Sequence, residues 1–210
     1  MNRHYRFPGS IVRMVRIYTV AAAPTISNYK ISFHTHHPLR DTLDELYKID
    51  VKHKHGIGFQ IRLHHNFAII RIGRYVYSPN YSGFINITGI KNLDEIDIAI
   101  RTIYTLLDIT YPTSKDVLQY RVDNISASGS FGWAIALHRI QSFLELHPEY
   151  PASCRYRRHY FPGATVRYHN GGGSAIFFTS GKFTIVGAKT EQQVQRIYGR
   201  AMEIALYLRG

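Results

Sequence analysis

From Asn92 onward, apolar residues recur every three or four positions, at Leu93, Ile96, Ile100, Ile103 and Leu107. That spacing predicts a helix with one buried stripe. Asn92-Leu-Asp-Glu95 precedes the stripe as a capping box, in which a polar side chain and a carboxylate three residues later satisfy the first free backbone N–H groups. The pattern returns near the end of the chain, with Val194, Ile197, Ala201, Ile204 and Leu208 behind Thr190-Glu-Gln-Gln193. Ahead of each helix the period shortens to that of strands. Phe59–Leu63 and Phe67–Ile72 flank His64-His-Asn66, and Ala164–Tyr168 and Ala175–Thr179 flank Asn170-Gly-Gly-Gly173. Both pairs predict hairpins. Shorter helices are predicted over Arg40–Ile49 and Trp133–Leu146.

These elements occur twice. Ile87-Thr88-Gly89-Ile90-Lys91 returns as Ile185-Val186-Gly187-Ala188-Lys189, a shift of 98, and Asn28 meets Asn124 at a shift of 96. The chain therefore reads as an extension over residues 1–22 followed by two repeats, 23–115 and 116–210. Each repeat runs strand, helix, strands, helix, which implies an α+β unit whose antiparallel sheet is covered by helices on one face. Two such units about a pseudo-twofold axis leave one wide sheet surface open.

Composition narrows what that surface meets. With 45% of 210 residues apolar, the chain can bury a core, which excludes disorder. Lys and Arg number 26 against 14 Asp and Glu, and both repeats are basic, so the expected partner is a polyanion. No run of apolar residues suits a membrane span or a signal peptide, and neither a membrane nor secretion is expected. The lone cysteine, Cys154, excludes an internal disulfide and fits a reducing compartment.

The residues themselves carry a likeness. Phe161-Pro162-Gly163-Ala-Thr-Val-Arg167, Ile176-Phe-Phe178-Thr-Ser180-Gly181-Lys182 and Val186-Gly187-Ala188-Lys189 resemble, in order and spacing, the second repeat of the TATA-box-binding protein family. Asn28 and Thr88-Gly89-Ile90-Lys91 resemble the first repeat more faintly. The resemblance implies an α+β saddle: two pseudo-symmetric repeats forming one curved antiparallel sheet, with helices on the convex face. It further implies minor-groove promoter recognition and DNA bending in transcription initiation. Asn28 and Asn124 would be the family's asparagine pair, whose amides can donate to the acceptors lining an A·T minor groove. Phe161 and Phe178 would be a wedge that opens a base step, a mechanism for which this family is a standard example. Lys91, Arg167, Lys182 and Lys189 match basic positions able to reach phosphates. Thr88 matches the family's threonine, Val186 replaces its counterpart, and Thr184 lies on the same run.

Departures accompany the likeness. Lys30 and Ser126 stand where the family has valines, giving a wetter floor. In the first repeat Phe59 is placed at the Phe161 position, and Arg71 or Val76 falls where Phe178 would be matched. Residues Arg74 to Ser82 then read as an insertion of about nine residues carrying Tyr75, Tyr77 and Tyr81 as substitute or blocking wedges. The N-terminal Phe7-Pro8-Gly9 echoes Phe161-Pro162-Gly163.

Rival chemistries read weakly. The Asn170–Ser174 run lacks the lysine and helix of a phosphate loop and reads as a hairpin turn. The histidines of the first half, from His34 to His65, lack companion carboxylates or cysteines at metal-binding spacing. Ser128-Gly-Ser130 near His138 has no acidic orienter, so no enzyme is expected. Arg155, Arg157 and Arg158 suit phosphate contact. The expectation is a cofactor-free factor whose partners are double-stranded DNA and general transcription factors or an RNA polymerase, in a nucleus or a viral transcription compartment. The alternative is a protein-interaction module that keeps the saddle without bending DNA.

Overall fold

The computed structural model describes residues 22–53, 58–112, 119–169 and 172–209. The N-terminal Phe7-Pro8-Gly9 echo and the 115/116 repeat boundary lie outside them. Among the described residues, ten strands form one antiparallel curved sheet with four α-helices: β1 (Thr25–His34), α1 (Arg40–Lys52), β2 (Gln60–Leu63), β3 (Ala68–Ile72), β4 (Tyr75–Pro79), β5 (Phe84–Ile90) and α2 (Glu95–Leu106) in the first half. The second half carries β6 (Tyr120–Ser130), α3 (Ile140–Leu146), β7 (Ala152–Arg155), β8 (Gly163–Tyr168), β9 (Ser174–Phe178), β10 (Lys182–Ala188) and α4 (Glu191–Tyr207). The sheet order β2-β3-β4-β5-β1-β6-β10-β9-β8-β7 reads the same from either end when β1 is exchanged for β6, β5 for β10, and so outward. This is the expected saddle, with its pseudo-dyad between β1 and β6.

Burial follows the pattern of the sequence. Ile85 and Ile87 on β5, Phe183 and Ile185 on β10, and Ala164 and Val166 on β8 are all buried, while their neighbours along each strand, Gly163 apart, are not. Period two therefore sends one face to the helices and leaves the other open. Ile96, Ile100 and Ile103 on α2 and Val194, Ile197 and Ile204 on α4 supply the matching stripes. Leu93 departs from its expected place, being half exposed in the turn before α2. Both caps form. The Glu95 N–H donates to Asn92 Oδ1 at 3.1 Å and the Gln193 N–H to Thr190 Oγ1 at 3.1 Å. Each partner reaches back one residue beyond the cap, Glu95 Oε2 to the Lys91 N–H and Gln193 Oε1 to the Lys189 N–H. That bond and the Arg74 guanidinium hold the Glu95 carboxyl below its ordinary range.

One helix is shorter than its sequence predicts. Residues 133–136 are irregular rather than helical, and only a 3-10 turn, Leu137–Arg139, leads into α3. Tertiary bonds win here. The Phe131 N–H donates to the Gly181 carbonyl at 2.9 Å and the Ile135 N–H to the Thr179 carbonyl at 3.0 Å, so the segment is spent on the β9–β10 turn. The halves are also joined off the sheet, by the Tyr29 hydroxyl donating to Glu191 at the start of α4. Burial, with that carboxylate beside it, pushes the phenol well above its usual range.

Candidate nucleic-acid interface

At the pseudo-dyad, cross-strand pairs bring four of the predicted residues together: Asn28 lies opposite Ser126, and Lys30 opposite Asn124. The neighbouring strands are interrupted at symmetric places. Gly89 on β5 and Gly187 on β10 have φ of 95° and 85°, a left-handed conformation that suits glycine, and the ladders skip register beside them. Each break leaves a backbone N–H without its strand partner. Asn28 Oδ1 accepts from the Gly89 N–H at 2.6 Å, and Asn124 Oδ1 from the Gly187 N–H at 2.5 Å. The Gly N–H can bond only to an oxygen, so these bonds fix which way each amide points. Both asparagines lie on the face opposite the buried Tyr29 and Ile125 and are left with their NH2 groups as donors, the Asn124 amide giving one hydrogen to Ser126 Oγ at 2.9 Å.

Charge is segregated. Among the described residues, Asp123 is the strands' one carboxylate, whereas Lys30, Arg62, Arg71, Arg121, Arg155, Arg167 and Lys182 are all strand residues. Asp123 is itself spoken for. Partial burial would raise its pKa, but hydrogen bonds from Ser32 and Arg121, with Lys30 close by, hold it below the usual range. The remaining described acids sit on helices or their flanks. Thr88 on β5 and Thr184 and Val186 on β10 are half-buried on the open face, and Arg167 and Lys182 are exposed on it. Lys91 and Lys189 are exposed at the strand-to-helix junctions.

At the β7/β8/β9 end, Phe161 is 43% exposed and meets Phe178 edge to face, ring centres 6.0 Å apart. Gly163 permits this, because a Cβ there would lie 2.7 Å from the Phe161 ring and 3.1 Å from Phe178. A pocket of about 310 Å³ opens beside the pair, lined by Arg155, Arg157, Tyr160, Phe161, Gly163 and Thr165.

The opposite end is not what the sequence reading placed there. Residues 74–82 are no insertion: they hold β4, whose register against β5 (Val76↔Thr88, Tyr77↔Ile87) matches that of β9 against β10 (Ser174↔Val186, Ala175↔Ile185). Asn80 therefore stands at the Phe178 position. The Phe67↔Asn80 bridge repeats Gly163↔Phe178, so Phe67 matches Gly163 and His65 matches Phe161. Phe59 precedes the outermost strand, half-buried against the core, at the end of β2 away from the hairpin tip. Arg71 pairs with Val76 and takes the place of Arg167 rather than of a wedge. Tyr77 is fully buried, its hydroxyl donating to the Ala99 carbonyl at 3.0 Å, which removes it as a wedge. Tyr75 is half-buried against the core, and Tyr81 is tied to the His64 carbonyl at 3.1 Å. The sequence did carry a pointer. Ser82-Gly83 precedes Ser180-Gly181 by the same 98 residues as the Gly89 motif, and extending that shift without a gap reaches Asn80.

No group of three or more histidine, cysteine or acidic side chains suited to a metal occurs among the described residues. Nor, among them, is any helix long and apolar enough to cross a membrane.

Comparison with known proteins adds to this geometry. Residues 119–205 match the family model described as transcription factor TFIID, or TATA-binding protein. The TATA-box-binding protein E of Halobacterium salinarum is 30% identical over 129 residues, covering 60% of this chain and 67% of that protein. The TATA-box-binding protein of Thermococcus kodakarensis is 28% identical over 111 residues, which span 53% of this chain and only 55% of the relative's length. Among solved structures, Methanococcus jannaschii TBP superposes with a TM-score of 0.66 at 19% identity, covering 88% of this chain and 98% of that one.

Proposed function

Because the chain belongs to the TATA-box-binding protein family, we propose that it binds duplex DNA through the open face of the saddle, in the minor groove of A·T-rich sequence, and marks promoters for a transcription machine. The observation that carries this reading is the asparagine pair on the open face, whose oxygens accept from the Gly89 and Gly187 N–H groups so that the amide NH2 groups are what remains to meet a ligand. An A·T minor groove offers only acceptors, adenine N3 and thymine O2, whereas guanine adds an amino donor that such amides would oppose. The basic face around them supplies the phosphate contacts that dominate affinity. Its partners beyond DNA are general transcription factors or a polymerase, its place of action a nucleus or viral transcription compartment, and it performs no chemistry of its own.

The test is fluorescence anisotropy of labelled A·T-rich and G·C-rich duplexes over a range of salt. Tighter binding to the A·T-rich duplex, with log affinity falling linearly in log salt, is expected. Equal affinity for both duplexes removes the asparagine reading. No binding even at low salt favours a protein-interaction module instead.

A further inference from the structure

We infer that this protein opens a base step at one end of its site only, and so sits on DNA in one direction; the inference rests on the DNA-binding reading above. The second end has what an opened step requires. Phe161, 43% exposed, and Phe178 are purely apolar rings with centres 6.0 Å apart, with no polar atom to strand between bases. The adjoining pocket places Arg155 and Arg157 beside Phe161, where a backbone phosphate displaced by the kink can be held.

The first end lacks these means. Asn80 fills the Phe178 position, and its Oδ1 is taken by the Phe84 N–H at 2.8 Å and the Ser82 hydroxyl at 2.8 Å, so it closes the turn rather than projecting. Phe67, 37% exposed, lies under His64 with ring centres 4.5 Å apart and planes 8° from parallel. The main chain of this turn is held in place: the His64 N–H donates to the Phe67 carbonyl at 2.8 Å and the His64 carbonyl accepts from the Tyr81 hydroxyl. What this tip offers a base step is two stacked rings, not one edge. Inserting them demands a gap two rings deep and strips water from the imidazole nitrogens without replacing their hydrogen bonds. This tip therefore grips the backbone from outside, together with Arg62 and Arg71, which are exposed on the adjoining strands.

Pyrimidine–purine steps such as TA unstack more readily than stiff A-tracts, so a protein with one wedge needs one such step. Duplexes of otherwise A-tract sequence, carrying a TA step at neither, one or both ends of the site, separate the cases. Each holds 2-aminopurine at one end as a reporter of unstacking, and binding is followed by anisotropy in the same samples. One TA step is expected to tighten binding severalfold over none. A second should add nothing beyond the benefit of two equivalent orientations, and in the one-step duplex the far-end reporter should stay dark. Phe161→Ala with Phe178→Ala should erase the gain, while His64→Ala with Phe67→Ala should retain it, thermal melts confirming that both variants fold. A second step that helps as much as the first, or a far-end reporter that brightens in the one-step duplex, overturns the single wedge while leaving DNA binding intact. Absent anisotropy changes with every duplex instead overturn the reading beneath it.

Discussion

Between β7 and β8 the chain spends seven residues, Tyr156–Pro162, and builds a tip of arginines and bare aromatic rings; between β2 and β3 it turns in four, His64–Phe67, and builds a stacked, hydrogen-bonded one. The scaffolding beneath the two is nearly the same. The Thr35 N–H donates to the Gly83 carbonyl at 3.0 Å as the Phe131 N–H donates to that of Gly181 at 2.9 Å, 96 and 98 residues apart respectively. The asparagine bonds are likewise duplicated. Residues that close a ladder or face the helices answer to the same packing in both halves, whereas a tip residue touches little of the core and can diverge without unfolding the protein. The difference locates a structural asymmetry at the ends of an otherwise symmetric saddle.

Four sets of substitutions or labels test that contrast. The largest effect belongs to the symmetric centre. Asn28→Asp with Asn124→Asp keeps an acceptor for each glycine N–H but replaces the outward donors with charge, and A·T-rich binding should weaken by about a hundredfold or more, at ~1–3 kcal/mol for each lost base contact. The two single variants should cost the same; unequal losses would move the asymmetry into the centre.

Next come the shared turns. At Gly83 (φ 98°) an added Cβ would collide with the His37 carbonyl, and at Gly181 (φ 80°) with that of Trp133. Gly83→Ala and Gly181→Ala should each lose about 1–3 kcal/mol of stability from such backbone strain, read as similar drops in melting temperature. A harmless substitution at either end would show that the scaffolds differ as well as the tips.

Phosphate contact should be uneven. Lys189 has a counterpart in Lys91, but the residue matching Lys182 is Phe84. Removing Lys182 and Lys189 should flatten the slope of log affinity against log salt by about 1.8, and removing Lys91 by about 0.9. Equal slopes for wild type and the double variant would exclude both lysines as phosphate contacts.

The smallest effect is a probe of the second end. Cys154 lies on β7 opposite Val166, and burial pushes its thiol up to about 11. At pH 8 it should alkylate roughly a hundredfold more slowly than an exposed thiol, since the thiolate is the reactive form. Alkylation at the exposed rate would mean that this edge strand opens in solution and that the arginine-lined tip is not preorganised.

The residue pattern alone predicts the repeat, the apolar stripes of the two long helices, the two shorter helices save for residues 133–136, and the open basic face. Each is a matter of periodicity, and Ile96, Ile100 and Ile103 or Phe183 and Ile185 must face the helix–sheet core whatever lies beyond it. It also marked Asn28 and Asn124, by their recurrence. Only the tertiary structure decided what those asparagines do, because the Gly89 and Gly187 N–H groups they satisfy are 61 and 63 residues away and are freed by breaks in a ladder that no local pattern reports. It likewise decided that Arg74–Ser82 holds a strand of the common plan, β4, rather than an insertion. Matching by residue type drew Phe59 toward Phe161, but strand register is set by hydrogen bonds across the sheet, and those bonds put His65 and Asn80 there instead.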